Sequence, residues 1–375
     1  MWYKRIYETQ STYLKKGKVN LLYGPRRVGK TALLKHLLKN VDEKVFIGEG
    51  DDIQIRQILS SNDKTVILSA FQDYNYIFID EAQRIKDIGW GLKILVDNLP
   101  ETVIIASGSS SFQLSSQVGA PLTGRSITNM LFPVSVIELK EQFGAMHIIQ
   151  NLENYLVYGM YPEILKSGNN KDKISYLSEL RNSYLLKDIL ELENIRNADK
   201  MYDLLRLIAF QIGNEVSLSE LGNALELAKQ TVSRYLDLLE KAFIIKKIGG
   251  FSRNLRKEVT KTNRYYFFDN GVRNAIINNF NLPEHRNDIG MLWENFMVTE
   301  RLKKQHYHKI YSNNYFWRTY NQKEVDFVEE REGKLFGYEF KWKPKKTKTQ
   351  QEWLDTYENA SFEVINKDNF LQFVV

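Results

Sequence analysis

Nine residues, YGPRRVGKT at 23–31, place Gly24, Gly29, Lys30 and Thr31 in the spacing G-x-x-x-x-G-K-[ST]. The chemistry such spacing serves is the holding of a polyphosphate. Glycines let the backbone curl until its N–H groups face one point, and a following helix adds its positive N-terminal end. Lys30 would reach the β- and γ-phosphates, and Thr31 would set its hydroxyl on Mg²⁺. Gly24, Pro25, Arg26, Arg27, Val28, Gly29, Lys30, Thr31 and Ala32 are therefore the candidate contacts to bound ATP.

A second constellation lies about fifty residues on, in YNYIFIDEAQRI (74–85). An apolar run ending in Asp80-Glu81 puts two carboxylates at the end of a buried strand, where the loop would also open. Asp80 would complete the Mg²⁺ shell, and Glu81 would take a proton from the attacking water. A third strand-like run, VIIASGSSS (103–111), ends in Ser107 and Ser109, which could touch the γ-phosphate or that water. Arg125, in LTGRSITNM, could stabilise the transferring phosphoryl from its own or a neighbouring subunit.

A separate set of charges lies near the C-terminus. Asp326, then Glu339-Phe340-Lys341, gives Asp, a gap and Glu-x-Lys. Alternate strand residues share a face, so Glu339 and Lys341 point the same way. The arrangement resembles the PD-(D/E)XK nuclease core, which implies a divalent metal between Asp326 and Glu339, a lysine beside it and Glu294 as an extra ligand. It departs from that pattern in having Val325 where proline precedes the aspartate. His306-x-His308 has metal-like spacing but no third ligand beside it, and reads as a solvated pair.

The elements that must position these residues follow from hydrophobic periodicity. Runs at 19–23, 44–48, 65–68, 76–80 and 102–109 read as strands, with helical stretches after the loop, around 53–60 and near 91–98. Continuous apolar strands separated by helices indicate a parallel α/β sheet covered on both faces. From about 138 to 242 the pattern is helical, and beyond 281 it returns to mixed α+β. The expected division is 1–140, 141–280 and 281–375.

Within the middle part, residues 215–250 resemble a winged helix-turn-helix. Ser217 caps a first helix, and KQTVSRYLDLLEKA forms a second whose Val232, Leu236 and Leu239 face inward. Gln230, Thr231, Ser233 and Arg234 would lie outward at its start, where a recognition helix meets base edges. Net charge is +6, from 52 Lys/Arg against 46 Asp/Glu, but nine Lys/Arg and only two acids fall between Lys241 and Arg273. Such clustering attracts nucleic acid, with Lys246, Lys247, Arg253, Arg256 and Lys257 as the candidate contacts.

The ordered set YGPRRVGKT, FIDEAQRI, ASGSSSFQLS, LTGR and FPVSVIEL resembles a family of prokaryotic AAA-type ATPases that carry a C-terminal domain of unknown function. The likeness continues through YLVYGMYPEIL (155–165), Lys187-Asp188 and YYFFDNGVRNAI (265–276), nearly the whole chain. It implies an ATP-binding core of the AAA superfamily.

Composition excludes several classes. The chain has no cysteine, hence no disulfide, thiolate metal site or thiol nucleophile. No apolar run approaches the ~20 residues of a membrane span, and the mixed N-terminus is no secretory signal. The expectation is a cytoplasmic Mg²⁺-dependent ATPase whose C-terminal parts bind DNA, acting alone or as a homo-oligomer. Its rivals are an ATP-gated nuclease using Asp326, Glu339 and Lys341, and a nucleotide-switched scaffold for a protein partner.

Overall fold

The computed structural model describes residues 1–9, 14–109, 121–185, 198–252, 262–319, 323–343 and 349–375. Lys187-Asp188 and the candidate contacts Arg253, Arg256 and Lys257 lie outside them. The chain forms two compact units. One comprises residues 2–133 with 241–243, the other Met1, 134–240 and 244–375. Among the described residues no helix is long and apolar enough to cross a membrane.

The first unit is built on a five-stranded parallel sheet. Its strands are β1 (Val19–Tyr23), β2 (Val45–Glu49), β3 (Tyr76–Asp80), β4 (Val103–Gly108) and β5 (Ser126–Met130), in the order β2-β3-β4-β1-β5. The three central strands are buried almost end to end, whereas β2 and β5 at the edges are partly exposed. That is why β1, β3 and β4 read as continuous apolar runs. Val19, Leu21, Ile77, Ile79, Ile104 and Ala106 meet Leu59, Ile67, Phe71, Leu92 and Leu95 from the helices Ile53–Ser60, Lys64–Phe71 and Ile88–Asn98. Asn20, polar in mid-strand, is satisfied there: its amide donates to the Ile104 carbonyl at 3.0 Å and its oxygen accepts from Lys15 N at 2.9 Å.

Two expectations differ. TVIL (65–68) is not a strand but part of the helix Lys64–Phe71, because Asp63 caps the N–H groups of Thr65 and Val66, and Ile67 and Phe71, four apart, share its buried face. The edge strand β5 escapes the sequence pattern because SITNM is too polar and short to show a period.

In the second unit one seven-stranded sheet has the order β12-β11-β10-β9-β7-β8-β6. The strands are β6 (Glu215–Val216), β7 (Ile245–Gly250), β8 (Asn263–Phe267), β9 (Asn313–Arg318), β10 (Glu324–Arg331), β11 (Lys334–Phe340) and β12 (Ala360–Ile365). The segments 141–280 and 281–375 share this sheet. They join where β7 pairs parallel with β9, Gly249 opposite Tyr315, and Phe251 N donates to the Phe316 carbonyl at 2.6 Å.

The motif segments YLVYGMYP and FFDNGVRNAI interlock in the same unit. Asp269 caps the helix Asn270–Ile276 and also accepts from Met160 N at 2.7 Å. Asn274 donates to the Leu156 and Val157 carbonyls at 3.1 and 2.8 Å. A Cβ at Gly159, where φ is 76°, would stand 1.9 Å from the Asp269 carboxylate, so only glycine fits. These residues hold the fold together rather than face a ligand.

Candidate functional site

Because the sheet of the first unit is parallel, the residues that follow β1, β3 and β4 emerge at one edge, with Tyr23 level with Gly108 and Ile79 level with Ala106. Gly24 opens the phosphate loop at φ 149°, and a Cβ there would lie 2.0 Å from the Leu131 carbonyl oxygen. Gly29 at φ 94° then leads into the helix Lys30–Leu38. Arg27, exposed, takes left-handed backbone at φ 59°. Pro25 and Val28 are buried beneath the loop, Arg26 is half-buried, and Ala32 is exposed on the helix.

Lys30 is buried, and its ammonium donates to the carbonyls of Gly24 and Pro25, each at 2.9 Å. Burial pushes its pKa down to about 8, against the pull of the Glu81 and Asp80 carboxylates. Thr31 Oγ1 donates to Asp80 Oδ2. Asp80 Oδ1 accepts from Ser107 Oγ and from Glu81 N, the latter at 3.0 Å. A hydroxyl and a buried carboxylate in contact beside the loop are hard oxygen donors, the set that suits Mg²⁺.

Glu81 follows with φ 47°, left-handed backbone that costs a non-glycine residue roughly 1–2 kcal/mol. The turn aims its side chain across the strand ends. Glu81 Oε2 accepts from Gln83 Nε2 and from Ser109 Oγ, the latter at 3.3 Å, while Oε1 takes no hydrogen bond from any described residue. Gln83 also donates to Ser109 at 3.1 Å, and Arg26 Nε, from the loop, to Ser109 at 3.4 Å. Ser109 thus joins the loop to Glu81, whereas Ser107 serves Asp80 rather than the phosphate side.

Arg125 is not brought to this site. Its carbonyl accepts from Val19 N at 2.8 Å, at the start of β1, and its guanidinium pairs with Asp97 at 2.6 Å. A five-residue strand, roughly 13 Å at ~3.3 Å per residue, separates that edge from the loop. Arg125 therefore does not serve the loop of its own chain.

Sequence reasoning missed Arg5. It is buried, with Nη1 donating to the Val28 carbonyl in the loop at 2.8 Å and Nη2 to the Phe132 carbonyl at 2.6 Å. No local signal could reveal it, since its partners lie 23 and 127 residues away. Gln83 was legible only as a neighbour within DEAQ.

In the second unit, Asp326 and Glu339 each lie next to the antiparallel pair Phe327–Tyr338 on the neighbouring strands β10 and β11. Lys341 Nζ pairs with Glu339 Oε1 at 2.7 Å. Glu294, on the helix Ile289–Tyr307, joins them through Arg264, whose Nη1 lies 3.6 Å from Glu294 Oε1 and 3.9 Å from Asp326 Oδ1. Burial pushes both the Glu294 and the Asp326 carboxyls above their usual range. Among the described residues no three His, Asp or Glu side chains are grouped to hold a metal ion.

On the helix Lys229–Lys241, Gln230 and Arg234 are exposed, and Thr231 and Ser233 are half-buried. Lys247 is exposed, but Lys246 pairs with Glu240 at 2.8 Å. Two of the nine basic residues counted between 241 and 273 are not surface charge. Arg264 and Arg273 are buried, the first among the carboxylates just described, the second against Asp288 at 2.5 Å. The positive field is weaker than the count implies.

Comparison with known proteins divides the chain in three. Residues 16–140 match the family model of an AAA domain, 149–282 a domain of unknown function (DUF8612) and 289–371 another (DUF4143). An uncharacterised protein of Mycobacterium tuberculosis is 27% identical over 332 residues, covering 88% of this chain and 71% of its own. One of Methanocaldococcus jannaschii is 23% identical over 330 residues, covering 83% and 72%. Among solved structures, domain III of the Thermotoga maritima replication initiation protein DnaA aligns at 14% identity over 59% of this chain and 87% of its own, with a TM-score of 0.26. A Pif1 helicase aligns at 12% over 44% and 48%, with a TM-score of 0.21. Those two likenesses are too slight to bear on function. By these matches the chain is similar to an AAA domain at 16–140, followed by stretches similar to two domains of unknown function.

Proposed function

We propose that the protein is a Mg²⁺-dependent ATPase of AAA type that hydrolyses ATP and couples turnover to DNA binding by its C-terminal unit. The observation that carries the hydrolytic half is Glu81, held on one oxygen by Gln83 and Ser109 while the other stays open beside the Lys30–Thr31–Asp80 group. A P-loop that only binds nucleotide has no need of a second, separately oriented carboxylate.

The chain's own groups divide the work. Backbone N–H groups of 26–30, at the start of the helix Lys30–Leu38, receive the phosphates. The Lys30 ammonium exchanges two carbonyl partners for phosphate oxygens, and the added negative charge favours its protonated form. Thr31 and Asp80 would hold Mg²⁺, which when bound neutralises charge on the β- and γ-oxygens. Glu81 Oε1 orients a water and accepts its proton as the water oxygen bonds to the γ-phosphorus and the β,γ-bridging oxygen departs with ADP. Ser109, bonded to both Glu81 and Arg26, links the base to the loop.

The DNA half rests on two short helices, Leu218–Leu225 and Lys229–Lys241, with the antiparallel strands β6, β8 and β7 after the manner of a winged helix. Gln230 and Arg234 are exposed at the start of the second helix, and Lys247 on β7. Hydrolysis measured with and without duplex DNA, across a salt series, tests the coupling. Neutralising Lys246, Lys247, Arg253, Arg256 and Lys257 flattens the salt dependence of DNA binding by about 0.9 in slope for each phosphate that is no longer neutralised. Lys246, engaged by Glu240, contributes least. An unchanged slope would mean that this segment faces protein or solvent.

A further inference from the structure

We propose that the acidic cluster of Glu294, Glu324, Asp326 and Glu339 is a metal-free ion lock. In it the guanidinium of Arg264 stands between Glu294 and Asp326, where a cation shared by those two would have to sit. It ties β8 to β10 and to the helix Ile289–Tyr307. The lock stands apart from the ATPase reading and concerns other residues.

At least one oxygen of each carboxyl group in the cluster is already engaged. Arg264 Nη2 pairs with Glu324 Oε2 at 2.7 Å, while Nη1 stands between Glu294 and Asp326 at 3.6 and 3.9 Å. Glu294 Oε1 also accepts from Tyr266 Oη at 2.7 Å. The second oxygen of Asp326 accepts from Phe340 N at 2.8 Å, and Lys341 takes Glu339 Oε1. Magnesium needs oxygens at about 2.0–2.1 Å and calcium at about 2.3–2.6 Å. For Glu294 and Asp326 to share such an ion they would have to close inward past the nitrogen already between them.

That nitrogen cannot leave easily. The Arg264 side chain is 4% exposed, and its guanidinium lies 4.5 Å from the centre of the Phe316 ring. Arginine stays protonated in any usable pH range, so the cation is permanent. Lys341, which a metal-dependent nuclease would aim at a phosphate, is already paired with Glu339. Two atoms of the cluster, Glu339 Oε2 and Arg264 Nε, have no hydrogen-bond partner among the described residues. Glu339 therefore keeps an oxygen that another cation could take, and a fair test must remove it together with Asp326.

The position of Arg264 in the chain gives the lock a purpose. It belongs to the segment that matches DUF8612, and all four carboxylates to the segment that matches DUF4143. A second ion pair, Arg318 to Glu215 at 2.6 Å, crosses the same seam, as does the pairing of β7 with β9. The lock joins two sequence modules into one compact unit.

The test uses the full chain without nucleotide. Mn²⁺ is titrated in, and the free ion is counted by electron paramagnetic resonance, for the wild type and for the double variant Asp326→Asn, Glu339→Gln. The lock predicts equal Mn²⁺ binding by both, and no change in wild-type Tm on adding EDTA. A tight Mn²⁺ present in the wild type and lost in the double variant would overturn it. Separately, Arg264→Gln is expected to lower Tm by roughly 10 °C, and Mn²⁺ to restore part of the loss. An Arg264→Gln protein as stable as the wild type would also overturn the lock. One that does not fold would support it, with the wild-type titration still deciding the metal.

Discussion

Two buried clusters of carboxylates and cations lie in the two units, and they are built to opposite ends. In the first, Lys30 rests on two carbonyls, neutral acceptors that a phosphate can replace, and Glu81 keeps one oxygen open. In the second, Lys341 rests on Glu339 and Arg264 on three carboxyl groups, acceptors that would have to be stripped of their partner before anything else could bind. What separates a prepared site from a closed one is therefore the partner each cation has at rest, rather than the residue types, which are nearly the same.

The largest expected effect falls on the first cluster. Lys30→Ala removes a buried ammonium facing the phosphates, and two charge-assisted hydrogen bonds at about 1.5–3 kcal/mol each set the loss. ATP affinity should fall on the order of 100-fold or more by calorimetry, whereas Lys341→Ala should leave it untouched. Equal losses would erase the contrast between the two lysines.

Next comes Arg264→Gln. Breaking a buried ion network by removing its central charge costs about 3–5 kcal/mol. Chemical unfolding should show that loss in the second unit's transition, with nucleotide affinity unchanged.

The smallest effect is a proton. Lys30 in the nucleotide-free protein is held at about 8 by burial, below its ordinary value. At a pH just above that value a substantial fraction is therefore neutral, and phosphate favours the charged form. ATP binding should then take up roughly half a proton, read from the dependence of the calorimetric enthalpy on buffer ionisation. The uptake should fade as pH drops well below the lysine's pKa, where it is charged in both states, and it should be absent in Lys30→Ala.

The candidate phosphate site was legible because its residues lie within a few positions of strand ends, and strand ends follow from local periodicity. Thr31 and Asp80 are hydrogen-bonded, Lys30 lies near Asp80 and Glu81, and Ser109 bonds Glu81. Arg125 is not among them, and distance along the chain from β4 says nothing about which edge of a parallel sheet a loop returns to. Arg5 was invisible because its partners are fixed only by the closed fold. The second cluster was half legible: alternation put Glu339 and Lys341 on one face, but Arg264 looked like part of a basic surface. A count of charges cannot tell an exposed lysine from an arginine buried among carboxylates. TVIL shows the same limit, since Asp63 caps a helix where the β-branched residues alone suggested a strand.

The most direct measurement of the account is made on Glu81→Gln, which keeps the shape of the side chain and its contacts with Gln83 and Ser109 but cannot take a proton. The account predicts ATP binding within a few-fold of wild type, and single-turnover hydrolysis slowed by roughly 10²–10⁴-fold. Hydrolysis at the wild-type rate by a variant that still binds ATP would contradict it.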